Sequence, residues 1–234
     1  MTTHGNALVV MAKAPEPGRV KTRMAPPFSL EEAAAIYRCL LLDLVENLGS
    51  FKEADLFVAF TPVDAGALFQ QMVPAGFVCF PQQPGDLGER MHSVFGELFH
   101  SGYDHVAIIG SDLPALPDCF LRKTFLALRS PETDIVLGPS RDGGYYLIGA
   151  SRPIPELFKN ILWGSDTVLL ETIEKCSDLG LKPYFLPPLY DIDTVEDLRH
   201  LKARLDQFPA NSNKRVHRFL RSSYTTIKLT GLSE

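Results

Sequence analysis

An α/β fold with a mainly parallel central sheet is predicted by three features of the chain. Apolar runs of strand length alternate with helical stretches of about 10 to 15 residues, the pattern of βαβ units. The first apolar run is compact rather than alternating with polar residues, as a strand buried on both faces requires. The chain has 234 residues, 45% of them hydrophobic, enough to bury one sizeable core.

Residues 6–12 (NALVVMA) read as a first, fully buried strand. Residues 13–28, rich in proline and cations, read as a loop. Ser29 with Glu32 three residues on forms a capping box, so a helix is expected through EEAAAIYRCLLLDLVENL, stopping near Gly49. Strands are then expected at 55–60 (DLFVAF), 77–80, 105–109 (HVAII), 134–138 (DIVLG), 145–149 and 182–186. Helices are expected at 64–71, 87–100, 116–128, 165–177 and 195–205. One domain over residues 1–207 is expected, followed by a basic helix and tail over 208–234.

Composition excludes several classes. A net charge of −5 argues against a nucleic-acid binder. The balance is uneven: from Pro209 onward five basic residues (Lys214, Arg215, Arg218, Arg221, Lys228) meet one acid, Glu234, which is +4 and leaves −9 for the rest. A solvated helix face accounts for this. No run of 18 apolar residues is present, so no membrane span is expected, and the start of the chain lacks the basic region of a signal peptide. Cys39, Cys79, Cys119 and Cys176 are widely spaced and read as free thiols of a cytoplasmic protein.

Ligands of such a sheet sit at the carboxyl ends of its strands, so loops that follow strands are the candidates. After the first strand, MAKAPEPGRVKTR packs Lys13, Arg19, Lys21 and Arg23 around Gly18, and free amides with several cations suit a pyrophosphate. Ala12, Lys13, Gly18, Arg19, Lys21 and Arg23 are therefore nucleotide-binding candidates; the alternative is a solvated basic loop. Asp112, just past HVAII, suits a hard divalent cation or a cap of the next helix. In YDIDTVEDL, Asp191 and Asp193 point the same way in extended backbone, with capping by Asp193 the competitor. Gly85, Asp86, Leu87 and Gly88 precede a helix and suit a nucleotide base or a plain turn. Arg141 to Tyr146 reads as a hairpin-like turn in which Asp142 could serve as a base, or as a ligand of the acceptor. Ser165 or Asp166 reads as a helix cap, and Trp163 could wall a sugar pocket.

In order along the chain, AKAPEPGRVKTR, GDLGERM, GSDLPAL, DGGYYLIG and LYDIDTVEDL make the sequence similar to the DUF2064 family, glycosyltransferase-like bacterial proteins linked in some genomes to arsenosugar biosynthesis. The resemblance covers about residues 8–205. It implies a GT-A type, Rossmann-like three-layer α/β/α sandwich of the nucleotide-diphospho-sugar transferase superfamily, which includes molybdenum-cofactor and phospholactate guanylyltransferases. It further implies that the loop with Lys21 holds phosphates, that Asp112 and Asp193 bind Mg²⁺ or Mn²⁺, and that residues 85–88 lie near the base. The paired glycines with Arg-Met-Gly of the nucleotidyltransferases and the Asp-x-Asp of glycosyltransferases are both absent, so the reaction stays open.

Three functions follow. In the first, a nucleotide-diphosphate sugar donates its sugar to a small-molecule acceptor, with Asp112, Asp142 and Lys21 catalytic and Asp112 and Asp193 holding the metal. In the second, a phosphorylated acceptor attacks a nucleoside triphosphate and pyrophosphate leaves. The third is a nucleotide-binding module without catalysis. A homodimer is left open.

Overall fold

The computed structural model describes residues 4–113, 116–207 and 214–222. In chain order the elements are β1 (His4–Lys13), a 3-10 turn (Thr22–Met24), α1 (Leu30–Leu48), β2 (Asp55–Thr61), α2 (Gly66–Met72), β3 (Phe77–Pro81), α3 (Leu87–His100) and β4 (Tyr103–Gly110). They continue with α4 (Asp118–Leu128), β5 (Ile135–Pro139), β6 (Tyr145–Ala150), α5 (Val168–Asp178), β7 (Pro183–Phe185), α6 (Val195–Asp206) and α7 (Arg215–Leu220). One seven-stranded sheet has the order β3-β2-β1-β4-β6-β5-β7. β1 pairs in parallel with β2 and β4, β2 with β3, and β5 with β7; β6 alone runs antiparallel to its neighbours β4 and β5. The fold is the mainly parallel α/β sandwich that the alternation of elements predicts.

Successive strand residues feed opposite layers. Leu8 and Val10 of β1 join Leu41, Leu44 and Phe125 of α1 and α4 on one face. Ala7 and Val9 join Met91, Phe95 and Cys176 of α3 and α5 on the other. Burying each large apolar side chain contributes about 1.5–3 kcal/mol relative to exposure, so both faces are needed to fix the register. A third cluster lies outside the sheet. Met24 and Phe28 from the loop after β1 pack with Ile36 and Leu40 of α1, Ile192, Leu198 and Leu201 around α6, and Val216 and Leu220 of α7.

Helix starts follow the local chemistry. Ser29 and Glu32 form the expected reciprocal capping box on α1. Two helices start later than expected. α4 begins at Asp118 because Pro117, at φ −65° and ψ 134°, keeps the backbone extended at its N-cap. α5 begins at Val168 rather than 165: Ser165 Oγ accepts the Thr167 amide at 3.2 Å, and the two hydroxyls bond at 2.7 Å. Ser165 thus builds a turn before the helix, and neither it nor Asp166 is the N-cap, which is Thr167. The stretch 64–71 splits into a 3-10 turn (Val63–Ala65) and α2. The basic segment of the tail forms α7; residues 208–213 and 223–234, with Lys228 and Glu234, lie outside the described residues.

This topology gathers loops. β1, β2, β3, β4, β5 and β7 share one direction, so their carboxyl ends lie on one rim, and β6 begins there. The segments after β1, β4, β5 and β7 therefore converge, although they are far apart in sequence.

Candidate active site

At the centre of the rim is Lys21. It adopts left-handed backbone, φ 50° and ψ 34°, which a residue with a Cβ occupies at a cost of about 1–2 kcal/mol. This turn directs the side chain inward, where it is 4% exposed. Its ammonium donates to Asp112 Oδ2 at 2.7 Å and to Asp193 Oδ1 at 2.6 Å. Burial by itself disfavours the charged ammonium, but the charges and hydrogen bonds of Asp112 and Asp193 outweigh it and raise the Lys21 pKa above the usual 10.5. The two carboxylates remain about a third exposed, at 32% and 36%.

Backbone contacts hold the carboxylates in register. The Ile192 amide donates to the Asp112 carbonyl at 3.2 Å, tying the segment after β7 to that after β4. Neither Asp112 nor Asp193 caps a helix. α4 begins behind Pro117, and the N-cap of α6 is Thr194, in a reciprocal box with Asp197. Asp197 Oδ2 also accepts the Asp193 amide at 3.0 Å and the Thr194 amide at 2.7 Å. Asp197, which reads in the sequence as a surface or capping-region charge, completes the capping box with Thr194 and leaves the Asp193 side chain to Lys21.

Asp191 lies beside them. Burial, then the neighbouring charge of Asp112, raises its carboxyl well above the usual range, to about 7, while a 2.7 Å bond from Ser140 Oγ opposes the shift. Tyr37 of α1 supports the other wall. Its hydroxyl accepts the Lys13 amide at 3.0 Å and bonds Ser111 Oγ at 2.7 Å, joining the ends of β1 and β4. Gln82 donates to the carbonyls of Ala59 at 2.7 Å and Ala12 at 3.3 Å, doing the same for β1 and β2.

A cleft of about 410 Å³ opens on this cluster. Of the residues singled out in the sequence, Ala12, Lys13, Arg19, Lys21, Arg23, Leu87, Asp112 and Asp193 line it. Gly18, Gly85, Asp86 and Gly88 are not among its lining residues. Asp86 instead caps α3 in a box with Glu89, and Gly88 lies under the Trp163 indole. Asp142 lines two adjoining cavities, of about 490 and 560 Å³, whose walls also include Arg23 and Asp191. Tyr37 and Gln82 also line the cleft and carry no signal in the sequence, since an aromatic or polar residue near an apolar run reads as core or surface, whereas Arg90 and Ser111, which line it too, fall within GDLGERM and GSDLPAL.

The arrangement can grip a cation between two carboxylates at the mouth of a cleft lined by Arg19, Arg23 and Arg90. An anionic ligand carrying its own cation matches that charge pattern. Known proteins share the family and the fold. The profile of DUF2064, described as an uncharacterized protein conserved in bacteria, matches residues 44–165. A crystal structure from Desulfovibrio desulfuricans G20, provisionally assigned as a nucleotide-diphospho-sugar transferase, is 32% identical over 98% of each chain, with a TM-score of 0.88. A cytidylyltransferase from Leptospira borgpetersenii serovar Hardjo-bovis (strain JB197) is 13% identical over 99% of each chain, TM-score 0.60. CMP:2-keto-3-deoxy-manno-octonic acid synthetase, solved with CTP, is 11% identical over 87% of this chain and 99% of its own, TM-score 0.57, and shares the fold. No curated protein matches the chain.

Proposed function

The chain belongs to the DUF2064 family, and from the Lys21 cluster we propose that it is a transferase that binds the diphosphate of a nucleotide-diphosphate sugar and passes the sugar to a small-molecule acceptor. The observation that carries this reading is the convergence of Lys21, Asp112 and Asp193, from three separate loops, on one point at the carboxyl rim of the sheet. The cations of Arg19 and Arg23, with the loop amides, neutralise the two phosphates.

The donor set fits a divalent ion. Asp112 and Asp193 already share one cation, and Mg²⁺ takes one or two protein carboxylates and completes its shell with phosphate oxygens and water. Among the described residues no group of three or more His, Cys, Asp or Glu side chains is arranged to hold a metal ion, so phosphate would supply the remaining ligands. A bound Mg²⁺ or Mn²⁺ supplies charge neutralisation on the departing diphosphate. Asp112 and Asp193 would hold that ion, and Lys21 would turn its ammonium to a phosphate in the cleft. Asp142, whose Oδ1 accepts the Gly144 amide at 3.1 Å, keeps its other oxygen for the proton of an acceptor hydroxyl. That hydroxyl oxygen attacks the anomeric carbon, the bond from carbon to the diphosphate oxygen breaks, and its electron pair departs with the nucleoside diphosphate.

One observation favours nucleotidyl transfer as a second reading. The fold is shared over 99% of each chain with a cytidylyltransferase. Product analysis separates the two. Sugar nucleotides and acceptors yielding a nucleoside diphosphate support the first, and nucleoside triphosphates yielding pyrophosphate support the second. If no nucleotide binds with or without Mg²⁺, both are wrong.

A further inference from the structure

The cavity of about 490 Å³ meets the Lys21 cleft at Arg23 and Leu87, which line both. Its wall includes Trp163. The indole rests on the backbone of Gly88 in the first turn of α3, where a methyl group would overlap the ring. On the far side, Gly143 has φ 90° and approaches Asp166 so closely that any Cβ would overlap the Asp166 carbonyl. The Leu169 amide then donates to the Gly143 carbonyl at 2.9 Å. Two glycines, one in a helix and one in the β5–β6 turn, thus lock the segment that carries Trp163 and Asp166. A half-buried aromatic face fixed in this way at a cavity wall is preorganised for a flat ligand.

Charge narrows the ligand. Among its described lining residues the cavity has three acidic side chains, Asp142, Asp166 and Asp191, and one guanidinium, Arg23. Carboxylates accept hydrogen bonds and repel anions, so they select hydroxyl donors over carboxylated or phosphorylated groups. The volume falls within the roughly 300–1,000 Å³ of small-molecule sites. We propose that this cavity binds an uncharged hydroxylated ring, of hexose size, with its C–H face on Trp163 and its hydroxyls on Asp142 and Asp166. The inference rests on the nucleotide reading for the group next door, because Arg23 is common to both walls. The ring is either the sugar of the donor or a free acceptor, and the same chemistry recognises both.

Trp163 is the single tryptophan of the chain, so the emission of the unaltered protein reports on this cavity alone. Calorimetry first selects the nucleoside diphosphate that binds. That nucleotide is then titrated alone, as its hexose adduct, as its hexuronate adduct, and together with free hexose, while emission is followed. We expect no emission change with the nucleotide alone, and a change with the hexose adduct or with added hexose, according to which source supplies the ring. For a donor sugar, the adduct binds about tenfold tighter than the nucleotide. Trp163→Leu abolishes the gain and leaves nucleotide affinity within about twofold, and the hexuronate shows little or no gain. Unchanged emission with every hexose form, a gain that survives Trp163→Leu, or equal binding of the hexuronate overturns the ring site. If no nucleoside diphosphate binds, the nucleotide reading fails, and free hexose alone then decides: a change in emission upholds the ring site and none removes it too.

Discussion

Two buried charges in this protein are satisfied in opposite ways. Asp43 of α1 is 5% exposed and meets mostly backbone: it accepts the amides of Arg215 and Val216, each at 3.0 Å, and the Arg215 guanidinium at 3.3 Å. Lys21 is equally hidden, yet its partners are side chains about a third open to solvent, held in place by a strained turn on one side and a capping box on the other. Fixed amides cannot leave Asp43, so that charge fastens α7 to α1. Carboxylates at the mouth of a cleft can exchange one cation for another. On the proposed function, the contrast separates a buried charge that holds the fold from one placed for a ligand.

The comparison breaks most readily at Asp43. Asp43→Ala strands two amides and part of a guanidinium, and removing one member of a buried charged network costs about 3–5 kcal/mol. Urea unfolding should show that loss; an unchanged midpoint would mean α7 is held by its apolar face alone. Lys21→Met should do the reverse. Its partners are about a third exposed and still reach water, so stability should fall by about 1–3 kcal/mol, less than for Asp43→Ala, while turnover with the preferred donor falls about 10²–10³-fold. A variant that unfolds as readily as Asp43→Ala would erase the distinction. Asp197→Ala sharpens the account at smaller scale. It removes the Asp197 half of the α6 capping box and the acceptor for the Asp193 amide, for about 1 kcal/mol of stability and a measurable loss of nucleotide affinity by calorimetry.

The smallest effect concerns pH. Because the folded pKa of Lys21 is raised above its usual 10.5, its ion pairs stabilise fully below that value and fade as pH climbs through the higher folded one. The stability difference between the protein and Lys21→Met should therefore be constant at neutral pH and shrink in alkali. A difference that grew with pH would contradict the geometry.

Much of this was readable in the chain. Ser29 and Glu32 locate the start of α1, because a capping box is a local code. Strand runs such as HVAII mark β4 because a doubly covered strand must be apolar on both faces. Lys21, Asp112 and Asp193 could be picked out since strand-end loops of a parallel sheet face one rim. The parts that escaped depend on distant partners. The left-handed turn at Lys21 has no glycine to announce it. Tyr37 reads as a core aromatic on α1, and its hydroxyl gains meaning only when Lys13 and Ser111 arrive. Asp86 and Asp193 both precede helices, yet one is the cap and the other is relieved of capping by Thr194 and Asp197; sequence spacing alone does not separate them.

If Asp112, Asp193 and Lys21 form one site for a phosphate group and its cation, their unity is measurable. It is tested most directly by nucleoside diphosphate binding, measured calorimetrically with Mn²⁺ present, to the unaltered protein and to Asp112→Asn with Asp193→Asn. Binding should depend on Mn²⁺ and weaken at least tenfold on the paired substitution, in a protein that still unfolds cooperatively. Equal affinity in the two proteins, with no dependence on Mn²⁺, would contradict it.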